Sequence, residues 1–239
     1  MGEVLLDVVA PPLSPGRAVH GPIALRVGGT AANVALAAAA EGAGAIVVAR
    51  VGDDAAGRLA RETLAAAGVE AVLAVDPALP TGSFLAAGSA LAADRGASAA
   101  LSAADLPARL DARAVVVSRY APDAVAAAAV ERAEAEWVVA PGGNAIFLNA
   151  EEAGGEDALT VLAERYRLVC LTLGAEGAVA ALDGVVERRA PPERLAESPV
   201  GAGDALAACV LVSLLRGSRL GEALERGVGA AARLRAGRP

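Results

Sequence analysis

Short apolar runs alternate with longer alanine-rich stretches along almost the whole chain. Residues 4–9, 45–49, 114–118, 137–140, 145–148 and 168–172 are compact apolar runs bounded by turn residues, the pattern of buried strands. Residues 31–41, 123–135 and 156–165 read as helices. Residues 205–215 form an apolar helix too short for a bilayer, which needs about 20 such residues. Gly42 and Gly44 close the first helix, and Asp53 or Asp54 can cap another that Gly68 ends. Buried strands alternating with helices predict a mostly parallel sheet covered on both faces, a three-layer αβα sandwich. Two turn-rich β stretches, about 13–27 and 81–101, break the alternation and are expected to meet as a small β lid over one edge. The whole of 1–239 reads as a single domain.

Composition narrows the chemistry. At 239 residues a folded chain buries roughly 70–75% of its unfolded surface, enough for a substantial core. Net charge is −7, which argues against a nucleic-acid or anionic-membrane partner, because such surfaces attract excess positive charge. All 21 basic residues are arginine, and this excludes three chemistries that need a lysine. These are a Walker-type phosphate loop, a protein kinase and a pyridoxal-phosphate Schiff base. One histidine, His20, and two distant cysteines cannot build an ordinary zinc site. His20 has no nucleophilic Ser or Cys motif nearby and reads as incidental. Cys170 and Cys209 lie in apolar runs without a disulfide framework, as reduced core residues of a cytoplasmic protein would. The N-terminus has no targeting pattern.

Gly201, Ala202, Gly203 and Asp204 open the apolar helix. Glycines allow successive amides to converge on one point, and the helix terminus adds partial positive charge, so an anion can be held without lysine. Asp204 has two readings. It either caps the helix, or it accepts a proton from a substrate hydroxyl while the amides hold a transferring phosphoryl group.

With G-A-G-D at 201–204, the chain resembles the ribokinase-like (PfkB) carbohydrate kinases over most of its length. Gly28, Gly29 and Asn33 match that family's Gly-Gly-to-Asn segment, and residues 51–57 match V-G-x-D-x-x-G. Asn149 to Glu152 match N-x-x-E, and residues 172–177 match T-x-G-x-x-G. Asp94 to Ala97, Leu101, Asp105 and Leu106 also look like sugar kinases of this group. The resemblance implies a ribokinase-like fold and ATP-dependent phosphorylation of a sugar hydroxyl, with Asp204 as base at the G-A-G-D loop. It implies that Asp7, Gly28, Gly29 and Asn33 bind sugar, that Thr172, Gly174, Gly177 and Asn149 bind nucleotide, and that Glu152 organises metal. The implied cofactors are ATP and Mg²⁺, with a monovalent cation as an open addition. Lid strands of such folds often pair across a homodimer. Three features depart from the family: few residues between 140 and 149, Ser198 where an aspartate is usual, and no polar residue at 227–231. Two alternatives therefore stay open: a member that binds sugar or nucleotide in a regulatory role without turnover, and a nucleoside kinase.

Overall fold

The computed structural model describes residues 1–14, 16–191 and 200–235. In chain order the elements are β1 (Leu5–Ala10), β2 (Ala24–Gly28), α1 (Thr30–Ala40), β3 (Ile46–Gly52), α2 (Ala55–Ala66), β4 (Glu70–Asp76), β5 (Thr81–Ala87) and β6 (Ala90–Gly96). They continue with β7 (Ala114–Val116), α3 (Asp123–Arg132), β8 (Trp137–Val139), β9 (Ala145–Asn149), α4 (Ala150–Ala153) and α5 (Ala158–Ala163). The last are β10 (Leu168–Thr172), β11 (Ala178–Leu182), β12 (Val185–Arg189), α6 (Ala202–Leu215) and α7 (Leu220–Arg235).

Strands β7, β8, β9 and β10 run parallel, and the β11–β12 hairpin closes that end antiparallel. At the other end β3 pairs with β4, also parallel. Residues 1–4 join the two sets. The Gly2 amide donates to the Val48 carbonyl at 3.2 Å, and the Ser118 amide donates to the Met1 carbonyl at 2.8 Å.

Side chains on β10 explain the layers. Leu168 and Cys170 pack with Leu206, Val210 and Leu224 of α6 and α7, while Val169 and Leu171 pack with Leu159 of α5. Successive strand residues point to opposite faces, so a strand with no polar position needs cover on both. Helices α1 and α2 cover β3, and α3 covers β7 and β8. Helix α6 is buried nearly all round because it packs between α1 and α7. The architecture is the expected αβα sandwich. Among the described residues, no helix is long and apolar enough to cross a membrane.

The two β stretches expected to meet do share a sheet, but β1 lies between them. The order is β2-β1-β5-β6, with β1 antiparallel to β2 and parallel to β5. Only the end of the 13–27 stretch is strand; before it lies an isolated bridge between Ser14 and Arg17. The predicted first strand, 4–9, thus belongs mostly to this second sheet, leaving the central sheet after Val4.

The V-G-x-D-x-x-G segment is the joint between the sheets. Asp54 caps α2 by accepting from the Gly57 amide at 2.8 Å, and it also accepts from the Thr81 amide and hydroxyl, each at 2.7 Å. Thr81 in turn accepts from the Gly52 amide at 2.9 Å. A methyl group at Gly57 would stand 2.4 Å from the Gly52 carbonyl oxygen, so the motif's last position needs glycine.

The shortened connection between β8 and β9 has a simple geometry. Parallel neighbours ordinarily need a crossover of a dozen or more residues. Here Val139 pairs with Ala145 and nothing beyond, so β9 begins where β8 ends and no return is required. Asn144 staples the step: its Oδ1 accepts from the Val138 amide at 2.8 Å and its Nδ2 donates to the Glu136 carbonyl at 2.9 Å.

Candidate active site

Two helix N-termini converge on Asp204. Gly201 takes a left-handed conformation at φ 84°, and among the described residues no side chain caps the first amides of the helix that follows. Asp204 stands in the first turn of α6, and its Oδ2 accepts from Asn33 Nδ2 of α1 at 2.9 Å. The Thr30 hydroxyl, at the start of α1, lies near the same carboxylate and lowers its proton affinity. Gly201 lies close beneath: a methyl group there would stand 3.2 Å from Asn33 Nδ2.

Burial pushes the Asp204 carboxyl up to about 6, against the Asn33 hydrogen bond and the nearby Thr30 hydroxyl, and the charges of Glu3 and Asp7 push the same way. Asp7 is only 7% exposed. Burial raises its proton affinity too, and Arg26, its partner across β1 and β2, works in the opposite direction. A methyl group at Gly28 would stand 2.1 Å from Asp7 Oδ2. Glycine at 28 is therefore what lets the Asp7 carboxylate sit against the backbone that leads into α1. So Asp7, Gly28, Gly29, Asn33, Gly201 and Asp204 form one cluster.

The second group of expected residues lines a neighbouring cavity. Thr172, Gly174 and Gly177 face Ala202, Gly203 and Leu206 of α6 and Val228 and Ala231 of α7. A methyl group at Gly174 or Gly203 would meet no atom within 4 Å, so bare backbone borders open space at both. Gly177 has a structural requirement as well: at φ 94° a methyl group would stand 2.0 Å from the Arg189 carbonyl oxygen. The cavity suits a ligand with an apolar body whose anionic end reaches the α6 amides.

Asn149 and Glu152 meet at the end of β9, where Asn149 lies opposite Thr172 in the strand register. They form a capping box on α4: Asn149 Oδ1 accepts from the Glu152 amide at 2.7 Å, and Glu152 Oε2 accepts from the Asn149 amide at 2.9 Å. The Arg119 guanidinium also pairs with Glu152 Oε2. Glu152 therefore keeps one oxygen unengaged in these bonds, which fits a single-carboxylate or water-mediated role toward a metal carried on phosphates. Among the described residues, no group of three or more His, Cys, Asp or Glu side chains could hold a metal ion by itself.

Other expected features fall elsewhere. His20 lies exposed in the loop before β2. Both cysteines are free and buried, and burial pushes the Cys170 thiol up to about 12. Ser198 lies outside the described residues. Sequence reasoning missed Thr30, Glu3, Ser118 and Arg119. Glu3 had no distinguishing signal, being one of two acids, with Asp7, among the apolar residues at the start of the chain. Arg119 had none, since nothing local ties it to Glu152.

Ligand sites of open α/β sheets lie beyond the carboxyl ends of parallel strands, where β9, β10 and the α6 terminus meet here. Sandwich, second sheet and glycine-opened helix together define a ribokinase-like fold. Ribokinase from Thermotoga maritima superposes with a TM-score of 0.79 at 20% identity, covering 97% of this chain and 90% of that one. Adenosine kinase from Sinorhizobium meliloti gives 0.78 at 21% identity, covering 97% and 91%. Fructokinase from Vibrio cholerae O395, solved with fructose, ADP and calcium ion bound, gives 0.78 at 21% identity, covering 97% and 90%. No curated protein matches the chain. Residues 1–136 and 116–236 match the pfkB family of carbohydrate kinases, and the chain belongs to that family.

Proposed function

We propose that the chain transfers a phosphoryl group from ATP to a sugar hydroxyl, with Asp204 as general base. The observation that carries this reading is the placement of Asp204. It stands between two helix N-termini, oriented by Asn33, with its proton affinity raised to the range a base needs near neutral pH. In the reaction, an Asp204 carboxylate oxygen takes the hydroxyl proton as the acceptor oxygen bonds to the terminal phosphorus. The bond from that phosphorus to the bridging oxygen breaks, and its electron pair leaves on ADP. The first amides of α6, from Ala202 onward, face the developing negative charge.

The remaining assignments follow from position. Asp7, Asn33 and the backbone of Gly28 and Gly29 line the acceptor side, where a carboxylate and an amide can bond vicinal hydroxyls. Thr172, Gly174, Gly177 and Asn149 border the nucleotide side. The fructokinase solved with ADP and calcium supports nucleotide and divalent-metal use here. Glu152 would hold Mg²⁺ through its unengaged oxygen, and that ion would neutralise phosphate charge when bound. The β2-β1-β5-β6 sheet acts as the lid of a single kinase domain and excludes water from the transfer.

The experiment is an ADP-release assay over a panel of sugars and nucleosides with Mg²⁺. Turnover on a sugar is expected, and Asp204→Asn should lose about 10²–10⁴ in rate while still binding ATP. Full turnover in that variant would remove Asp204 from the mechanism. ATP binding with no turnover on any acceptor would overturn the kinase reading itself.

A further inference from the structure

Glu3 is a buried charge placed behind the cluster. It is 5% exposed. The Ser118 hydroxyl donates to its Oε1 at 2.9 Å, and its Oε2 is buried with no hydrogen-bond partner among the described residues. A methyl group at Gly29 would stand 2.5 Å from the Glu3 carbonyl oxygen and 3.2 Å from its Cγ, so Glu3 packs directly under the start of α1. One turn along that helix, Asn33 bonds Asp204. An unpaired oxygen on a buried carboxylate is costly, and an apolar side chain of similar volume would stabilise the fold better. A purely structural account of Glu3 therefore leaves its charge unexplained.

We propose that Glu3 is a positioning residue for phosphoryl transfer: its charge, anchored by Ser118 beneath Gly29, disposes Asp204 to take the proton of the acceptor hydroxyl. The proposal rests on Asp204 being the base. Away from water, a neighbouring negative charge is weakly screened and favours the protonated form of a second carboxylate. The other groups acting on Asp204 are Asp7 on β1, which reinforces Glu3, and the Asn33 amide and Thr30 hydroxyl on α1, which oppose it. Arg26 on β2 acts on Asp7. The N-termini of α1 and α6 add partial positive charge. Burial is the largest influence raising the proton affinity of Asp204, and Glu3 adds to it against these donors.

The test is the pH profile of kcat/KM in four variants. The wild-type acid limb is expected near pH 6, following the ionisation of Asp204. Glu3→Gln should move that limb lower by about half a pH unit or more, the size expected of one nearby charge at intermediate dielectric. Glu3→Met removes the charge with no polar atom to satisfy, and it gives the same reading if the glutamine variant fails to fold. Glu3→Asp keeps the charge and should hold the limb near its wild-type position. A loss of rate that is uniform with pH in both neutral variants would assign Glu3 a structural role and overturn the proposal. Asp204→Asn separates the two levels: if it retains full turnover, the base assignment fails. If it is inactive while the neutral Glu3 variants keep the wild-type limb, only the role of Glu3 fails.

Discussion

Asp204 carries its negative charge at the expense of the fold. Its proton affinity in the folded chain is raised from 3.8 to about 6, so the folded state holds a proton that the unfolded chain has already released. The stabilisation tied to this group is therefore fully present below about pH 4 and lost as pH rises through about 6, an effect on the order of 2–3 kcal/mol. Asp204→Asn should melt increasingly above wild type as pH is raised from 4 to 7.5. An unchanged difference in Tm across that interval would contradict the burial of this carboxylate. Asp7 shifts in the same direction and is present in both proteins, so the difference in Tm reports chiefly on Asp204. The glycines, Asn33 and Asp204 were legible in the sequence because their spacing repeats a known order. Glu3, Ser118 and Arg119 were not, because each acts through a partner far along the chain: Ser118 on Glu3, Arg119 on Glu152.

At the scale of elements, two joints carry the arrangement. Asp54 ties α2 to β5 through three hydrogen bonds from Gly57 and Thr81. Asp54→Ala should cost about 2–4 kcal/mol, since it removes a helix cap and leaves the Thr81 amide without its acceptor. Denaturant unfolding would measure this; a loss below about 1 kcal/mol would mean that the joint is replaceable. The β8–β9 step is the second joint. A methyl group at Gly143 would stand 2.1 Å from the Val138 carbonyl oxygen, and Gly143→Ala should lower Tm by several degrees. A Tm within one degree or so of wild type would show that the step can relax. Helix and strand periodicity located α1, α3, β3 and β10 closely. It missed β4, the β11–β12 hairpin and α7. Strand β4 is partly exposed along most of its length and so lacks a clean apolar pattern, whereas α7 has one in Leu220, Ala223, Leu224 and Val228 at helical spacing, interrupted by three glycines. The stagger of β9 past β8 is a tertiary fact with no local signature, so a missing crossover helix could be noticed but not explained.

For the whole molecule, the two sheets differ in how they are secured. The central strands are buried on both faces, whereas β2 and β6 are exposed over most of their length. Arg95, at the end of β6, reaches the Tyr120 carbonyl beyond β7, linking the second sheet to the frame. Hydrogen exchange should therefore slow at 24–28 and 90–96 when sugar and nucleotide are both added, while residues 168–172 stay protected throughout. Equal slowing in both sheets would argue against a covering role for the outer one. Gly2 is pinned to Val48, and from Leu5 onward the same extended chain runs through the outer sheet. Strand residues advance about 3.3 Å each, so Asp7 stands roughly 10 Å beyond Val4 and Ala10 roughly 20 Å. A beam fixed at one end moves least near its support. If the cover swings, its far edge sweeps a wide arc, while the Asp7 carboxylate, proposed to meet the acceptor, travels only about half as far as the tip.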